Sequence, residues 1–355
     1  MKPIKLKSGR QIGHGHPVFI IAEAGVNHNG DINIAKKLIE KAKSIGADAI
    51  KFQSFNTNEI ILKNAPKAKY HVDTTGDDKY QSWFDLLKTQ EISVQMHEEI
   101  INHCKKLDIL FMSTPYDQTS LDTLLKFKIE ILKIASTDNN NLPFLIKLAK
   151  TQVPLILSTA MISQKDLDIS IDHILQNNDD HSLILLQCTG SYPAPIKDCN
   201  LNVMASLRNK YKLNVGYSDH VNSPIPSIVS IGLGACVIEK HFTLDQKLPG
   251  PDHKASLEPD EFQKFINDIR FAEQSLGDGI KNIKKSEAQN KNKLKKFIVS
   301  KRFIKTGEIF KDDNITTKRT GGIGLDPINY FEIIGKKSLM DIEEDMPIEE
   351  KMIAK

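Results

Sequence analysis

The sequence predicts a (β/α)₈ barrel followed by a small second domain, and three observations predict it. Short β-branched apolar runs recur eight times, each trailed by a longer stretch in which apolar residues return every three or four positions. Eight such units over roughly 250 residues is the size of a closed parallel barrel. Polar residues gather just past the ends of those runs, where a barrel collects its strand ends into one mouth.

The predicted strands are Val18 to Ala24, Ala47 to Gln53, Ile109 to Ser113, Ile129 to Ala135, Pro154 to Ser158, Leu183 to Cys188, Asn214 to Tyr217 and Ala235 to His241. Between them, helical spacing predicts helices such as Asn33 to Ile45, Ser93 to Lys106, Ser120 to Lys128, Leu142 to Lys150, Gln164 to Gln176 and Pro259 to Leu276. A doubly wound open sheet is the structural alternative, but its usual GxGxxG turn is missing after the first strand, where the chain reads Glu23-Ala-Gly-Val-Asn-His-Asn-Gly30. The barrel domain is assigned to residues 1–280. Residues 281–296, rich in Lys, Asn, Ser, Glu and Gln, read as a solvated linker or exposed helix. Residues 297–355 resume short segments with turn signals and form a second domain too small to be robust alone.

Composition narrows the function. The chain has 355 residues, and 48 Lys and Arg against 45 Asp and Glu leave a formal charge of +3, which builds no strong field for nucleic acid or an anionic membrane. No apolar run is long enough to span a bilayer, and no signal-peptide pattern follows Met1 to Arg10, so a cytoplasmic protein is expected. Cys104, Cys188, Cys199 and Cys236 are scattered without CxxC spacing, which argues against a disulfide framework and a structural zinc site.

The predicted strand ends deliver Glu23, Asn27 and His28; Lys51 and Gln53; Ser113, Thr114, Tyr116 and Asp117; Lys133, Ser136 and Asp138; Ser158 and Thr159; Thr189, Ser191 and Tyr192; Ser218, Asp219 and His220; and Glu239, Lys240 and His241. One strand-end hydroxyl is ordinarily a helix cap, but eight successive strands ending this way describe a polar mouth. Lys51 and Lys133 lie inside apolar strands and are unfavourable to bury unless they meet an anion. With Ser136, Ser158 and Ser218 they suit a small phosphorylated or carboxylated ligand; the alternative is that each pairs with Glu23 or Glu239. His220 and His241 end neighbouring strands, a placement from which two imidazoles can share a divalent cation.

Beyond the first of these segments, the ordered motifs are Lys51-Phe-Gln53, Ser113-Thr-Pro115, Lys133-Ile-Ala-Ser136, Gly216-Tyr-Ser-Asp-His220, Glu239-Lys-His-Phe-Thr243 and Leu248-Pro-Gly-Pro-Asp252. Together they resemble the sialic acid synthase family, which condenses phosphoenolpyruvate with an N-acetylated mannose-type sugar. The tail, with Lys318-Arg-Thr-Gly-Gly322, resembles that family's antifreeze-like (SAF) domain. The resemblance implies that Lys51, Lys133, Thr114, Ser136, Ser158 and Ser218 hold phosphoenolpyruvate, with Gln53 nearby, and that His220 and His241 bind Mn²⁺ or Mg²⁺. It implies further that Glu23 sits near the reacting carbons, that Tyr192, Asp138 and Asp252 contact the sugar, and that Arg319 reaches it from the partner subunit of a domain-swapped homodimer.

The sugar is the finer question. Ala135-Ser-Thr-Asp138 and Gly190 depart from the form common in synthases of N-acetylmannosamine, and the shorter acid and the glycine suggest room for a bulkier substituent. The Lys-Ile-Ala-Ser-Thr-Asp string resembles the legionaminic acid synthases, so N,N′-diacetyllegionaminate is the expected product, with N-acetylneuraminate as the alternative. A Schiff-base aldolase using Lys133 is a rival chemistry, and one that has no use for two mouth histidines. A non-catalytic sugar-binding or ice-binding protein is a second rival, suggested by the tail alone.

Overall fold

The computed structural model describes residues 1–76, 81–178 and 182–355, which divide into two compact units, Met1–Gly277 and Asp278–Lys355. In the first unit, eight parallel strands close into a barrel: β1 Phe19–Gly25, β2 Ala49–Ser54, β3 Leu110–Pro115, β4 Leu132–Ile134, β5 Leu155–Ser158, β6 Leu183–Cys188, β7 Asn214–Asp219 and β8 Val237–His241. They follow one another round the barrel in chain order, and β8 pairs back onto β1 with His241 opposite Glu23. Their bounds differ from the expected ones by no more than three residues.

Both faces of these strands are covered, which is why they read as continuous apolar runs. The two faces still separate by the period of two. Ile20, Ala22, Ile50, Phe52, Leu155 and Leu157 join the layer between strands and helices. Phe19, Ile21, Ala49, Met112, Ile131, Ile156, Ile184 and Val237 fill the interior. Beneath them pack Ile4, Leu6 and Ile12, carried by a hairpin of Ile4–Lys5 with Gln11–Ile12. The sequence reading missed this plug, because two-residue strands carry no period. At Gly216 an added Cβ would collide with the Val237 carbonyl and lie 2.7 Å from Leu186 Cδ2, so glycine is what lets β6, β7 and β8 close up there.

The second unit has its own small core of Ile298, Ile304, Phe310, Ile315, Ile333, Ile342, Ile348 and Met352, with Phe297–Ser300 and Ile315–Lys318 paired antiparallel. The division falls at Gly277, whose φ of +63° ends the helix Pro259–Leu276. Within residues 281–296 the chain forms the helix Lys285–Leu294, which buries no residue and is started by the Lys284 N–H donating to Glu287 at 3.2 Å. All four cysteines are buried free thiols, and among the described residues no helix is long and apolar enough to cross a membrane.

Candidate active site

The parity that buries the barrel interior also builds its mouth. Counting on by twos from Phe19 and Ile21 reaches Glu23; from Ala49, Lys51 and Gln53; from Met112, Thr114; from Ile131, Lys133; from Ile156, Ser158; from Val237, Glu239 and His241. All of these line one cavity of about 320 Å³, within the size range of small-ligand sites, and Ser218, Cys188 and Asp252 complete its floor. Lys240, of opposite parity, points out of the barrel and binds Asp219 at 3.2 Å.

The floor is a buried charge network. Lys51 Nζ lies 2.7 Å from Glu23 Oε2 and 3.6 Å from Glu239 Oε2, and donates to Thr114 Oγ1 at 3.1 Å. Lys133 Nζ donates to Ser158 Oγ at 2.7 Å and lies 3.7 Å from Glu239 Oε1, which also accepts from Ser218 Oγ at 3.1 Å. Both lysines therefore meet the carboxylates offered as the alternative to an anion, and Glu239 is the member they share. Burial pushes the Glu239 carboxyl up, but Lys133 and Lys51 outweigh it and hold the group at about 2. Burial wins at Glu23, raising its pKa despite Lys51, and at Lys133, lowering its pKa despite Glu239. Gln53 Nε2 donates to Glu23 Oε1 at 3.2 Å and aims that carboxylate into the cavity.

Beside this network stand the two histidines, their ring centroids 5.5 Å apart. His220 donates from Nδ1 to the Thr189 carbonyl at 2.7 Å, which leaves Nε2 as the ring nitrogen available to a ligand. His241 Nδ1 is buried with no hydrogen-bond partner among the described residues, 3.9 Å from Asp252 Oδ2. Burial, then the neighbouring His220, holds His241 well below the ordinary imidazole value, so the ring is neutral at pH 7. Burial lowers the His220 pKa, but Cys188 and the Thr189 carbonyl outweigh it and raise it. The pair therefore fits a shared divalent cation once the cation displaces the His220 proton, although no group of three or more His, Cys, Asp or Glu forms a full ligand set among the described residues. Tyr192 stacks on His220 at 4.1 Å and meets His241 edge-on at 5.6 Å. Burial and nearby Glu23 raise Asp252 to about 7.

Not every expected residue is at the cavity. Ser136 is, and its Oγ accepts from the Ala160 N–H at 3.1 Å. Asp138 instead accepts from Asn141 Nδ2 at 3.0 Å within a short 3₁₀ turn, and Thr137 lines the cavity. The room expected over Gly190 is taken by Met161: a Cβ on Gly190 would lie 2.8 Å from Met161 Cγ. Arg319 lies in the second unit, exposed, its Nε donating to the Leu294 carbonyl at 3.1 Å. The sequence reading placed Glu239 at the mouth and offered it as a lysine partner without naming it among the catalytic or binding residues, and it overlooked the wall of His71 and Trp83, which come from the chain between β2 and β3.

His28 and Asp219 hold the fold behind the mouth. Asp219 accepts from the Val221 N–H at 2.9 Å and from Ser227 Oγ at 2.6 Å. His28 accepts the Gly30 N–H at Nδ1, 3.0 Å away, and packs on Phe52; burial lowers its pKa to about 4. Because an unfolded imidazole titrates near 6.5, this contribution is complete above that pH and is lost as pH falls towards 4. His253 and His71, also lowered to about 4, act in the same direction. Urea unfolding should therefore show stability falling between pH 7 and pH 5, on the order of 1–2 kcal/mol from His28. In His28→Asn, whose side-chain oxygen can accept the same N–H, the decline should be shallower.

The model of the NeuB family matches residues 38–281. An N,N′-diacetyllegionaminic acid synthase of Campylobacter jejuni is 46% identical over 333 residues, 94% of this chain and 99% of the relative. One of the same name from Legionella pneumophila is 38% identical over 95% of each chain. Among solved structures, an N-acetylneuraminic acid synthetase from Leptospira borgpetersenii in complex with citrate superposes with a TM-score of 0.73 at 33% identity, over 82% of this chain and 97% of that one. A barrel whose mouth carries this network, and whose sequence matches over these lengths, belongs to the NeuB family of synthases.

Proposed function

We propose that the protein condenses phosphoenolpyruvate with 2,4-diacetamido-2,4,6-trideoxymannose and water, giving N,N′-diacetyllegionaminate and phosphate. The observation that carries this is the buried Lys51 and Lys133 pair, braced by Glu239 and set beside His220 and His241 in one cavity. The choice of sugar is supported by the names of the Campylobacter and Legionella relatives, not by free space at Gly190.

In this reading Lys51 and Lys133 clamp the carboxylate and phosphate of phosphoenolpyruvate, and the hydroxyls of Thr114, Ser158, Ser218 and Ser136 fill the remaining acceptor positions. Two lysines against Glu23 and Glu239 sum to no net charge, so a polyanionic substrate calls for a further positive group. His220 and His241 would hold Mn²⁺ or Mg²⁺, which when bound would supply that charge and polarise the sugar's aldehyde oxygen. Tyr192 and Asp252 orient the open-chain sugar so that phosphoenolpyruvate C3 attacks the aldehyde carbon. Glu23, oriented by Gln53 and Lys51, takes a proton from the water that adds at C2, and that proton ends on the former aldehyde oxygen. The tetrahedral intermediate then expels phosphate with C–O cleavage, its C2 hydroxyl proton leaving with the phosphate as the ketone forms. No amine joins the substrate, which separates the reaction from a Schiff-base aldolase.

We read the second unit as the antifreeze-like module, its Arg319 supplied to the sugar by the partner subunit of a homodimer in the cytoplasm. Arg319→Ala should lower sugar turnover while the KM for phosphoenolpyruvate holds. Mixed dimers pairing it with a Lys51→Met subunit should recover activity, and equal inactivity of mixed and unmixed dimers would remove the trans arrangement. The sugar is tested by kcat/KM measured side by side: a larger value for N-acetylmannosamine than for the diacetamido sugar would make this an N-acetylneuraminate synthase.

A further inference from the structure

The interval between β2 and β3 is the longest between consecutive barrel strands, and it brings the chain's only tryptophan to the cavity. Trp83 opens the short helix Trp83–Lys88, whose first turn is fastened by Ser82: its Oγ accepts from the Asp85 N–H at 3.1 Å and donates to the Asp85 carboxylate at 2.7 Å. The Trp83 ring lies 4.9 Å from that of His71, on the helix Lys69–Thr75, and Ala68 and Leu87 continue the same wall. The indole Nε1 is buried and has no hydrogen-bond partner among the described residues. A buried donor of this kind is unfavourable unless an acceptor reaches it, and nothing in the clamp or the histidine pair uses it.

We infer that Trp83 is the residue that selects an acetamido group on the sugar, through an indole N–H···O=C hydrogen bond with the acetyl methyl against Ala68 and Leu87. The inference rests on the condensation proposed above and deepens it. An acetamido group joins the two things this wall asks for, a strong carbonyl acceptor and an apolar methyl. A hydroxyl in its place offers no carbonyl to the indole N–H and brings no methyl to Ala68 and Leu87. The group selected is the one remote from the aldehyde. The aldehyde end belongs beside His220, just past β7, and His241 on β8, whereas Trp83 follows β2, two places further round the barrel from β8. A sugar reaching both spans the cavity with its far end on the tryptophan. N-acetylmannosamine, with a hydroxyl at that end, leaves the N–H without its carbonyl.

A single tryptophan makes the test direct. Wild-type enzyme with Mn²⁺ is titrated with 2,4-diacetamido-2,4,6-trideoxymannose and, separately, with phosphoenolpyruvate, while tryptophan emission is followed; kcat and KM are then compared for wild type and Trp83→Phe on both sugars. The expected result is a saturable emission change with the diacetamido sugar and none with phosphoenolpyruvate. Trp83→Phe, which keeps an aromatic ring and loses the N–H, should lower kcat/KM for the diacetamido sugar about tenfold, mostly through KM. Its values for N-acetylmannosamine and phosphoenolpyruvate should stay within about twofold of wild type. Unchanged emission at sugar concentrations that saturate turnover, or equal losses on both sugars, overturns the role of Trp83 even when the wild type prefers the diacetamido sugar. A wild type that turns over N-acetylmannosamine alone overturns the proposed reaction first, and the selection with it.

Discussion

Glu239→Gln should produce a protein less stable by about 3 kcal/mol and slower in kcat/KM for phosphoenolpyruvate by about two orders of magnitude or more. Glutamine keeps the size of the side chain and an oxygen for Ser218, so the change isolates the charge. Among the described residues Glu239 is the one carboxylate in an ion pair with both Lys51 and Lys133, at 3.6 and 3.7 Å, and the lysines hold its pKa at about 2. Removing it leaves two buried ammonium groups with Glu23 alone between them. Their mutual repulsion then falls on the fold, and the spacing of the clamp is no longer fixed. Urea midpoints and steady-state kinetics check both halves; a variant with wild-type stability and wild-type kcat/KM would remove Glu239 from the centre of the network.

His241→Ala should reduce turnover on the order of a thousandfold while the fold persists. The side chain stands at the wall of an existing cavity, and its Nδ1 bonds to no described residue, so truncation breaks no hydrogen bond there. What disappears is one of the two imidazoles placed to share a cation, the neutral one. Calorimetric titration with Mn²⁺ should show binding to the wild type and none to the variant, and chelation should bring the wild type down to the variant's activity. Retained Mn²⁺ binding together with retained activity would take the metal away from this pair.

Much of this site was legible in the sequence because a barrel strand is a ruler with a period of two. Once Phe19, Ile21, Ala49 and Met112 are placed inside, Glu23, Lys51 and Thr114 follow by counting. The same rule separates Glu239 and His241 from Lys240, yet the run Glu-Lys-His reads as uniformly polar until the direction of the strand is known. The role of Glu239 as the shared partner was hidden for another reason: it depends on which lysines lie across the barrel, a contact between β8, β2 and β4 that no local pattern encodes.

Outside the strands the ruler fails. Asp138 was given to the sugar by resemblance alone; the chain leaves the strand at Ile134 and turns through a 3₁₀ segment, so the strand's parity does not reach it. Gly190 looked like open space, and the neighbouring loop fills it with Met161. Trp83 lies about thirty residues beyond β2, on a short helix that no strand-end count reaches; its only sequence signal is that a long interval between two barrel strands holds the chain's single tryptophan.

The proposed reaction joins two carbons and releases phosphate by C–O cleavage, with the lysines of the mouth acting as clamps. Phosphoenolpyruvate carrying ¹⁸O at the bridging enol position, incubated with the enzyme, Mn²⁺ and 2,4-diacetamido-2,4,6-trideoxymannose, tests it most directly. The account predicts that the label leaves entirely with inorganic phosphate and that the other product has the mass of unlabelled N,N′-diacetyllegionaminate. Label retained at C2 of the product, or enzyme covalently trapped at Lys133 by borohydride, would contradict it.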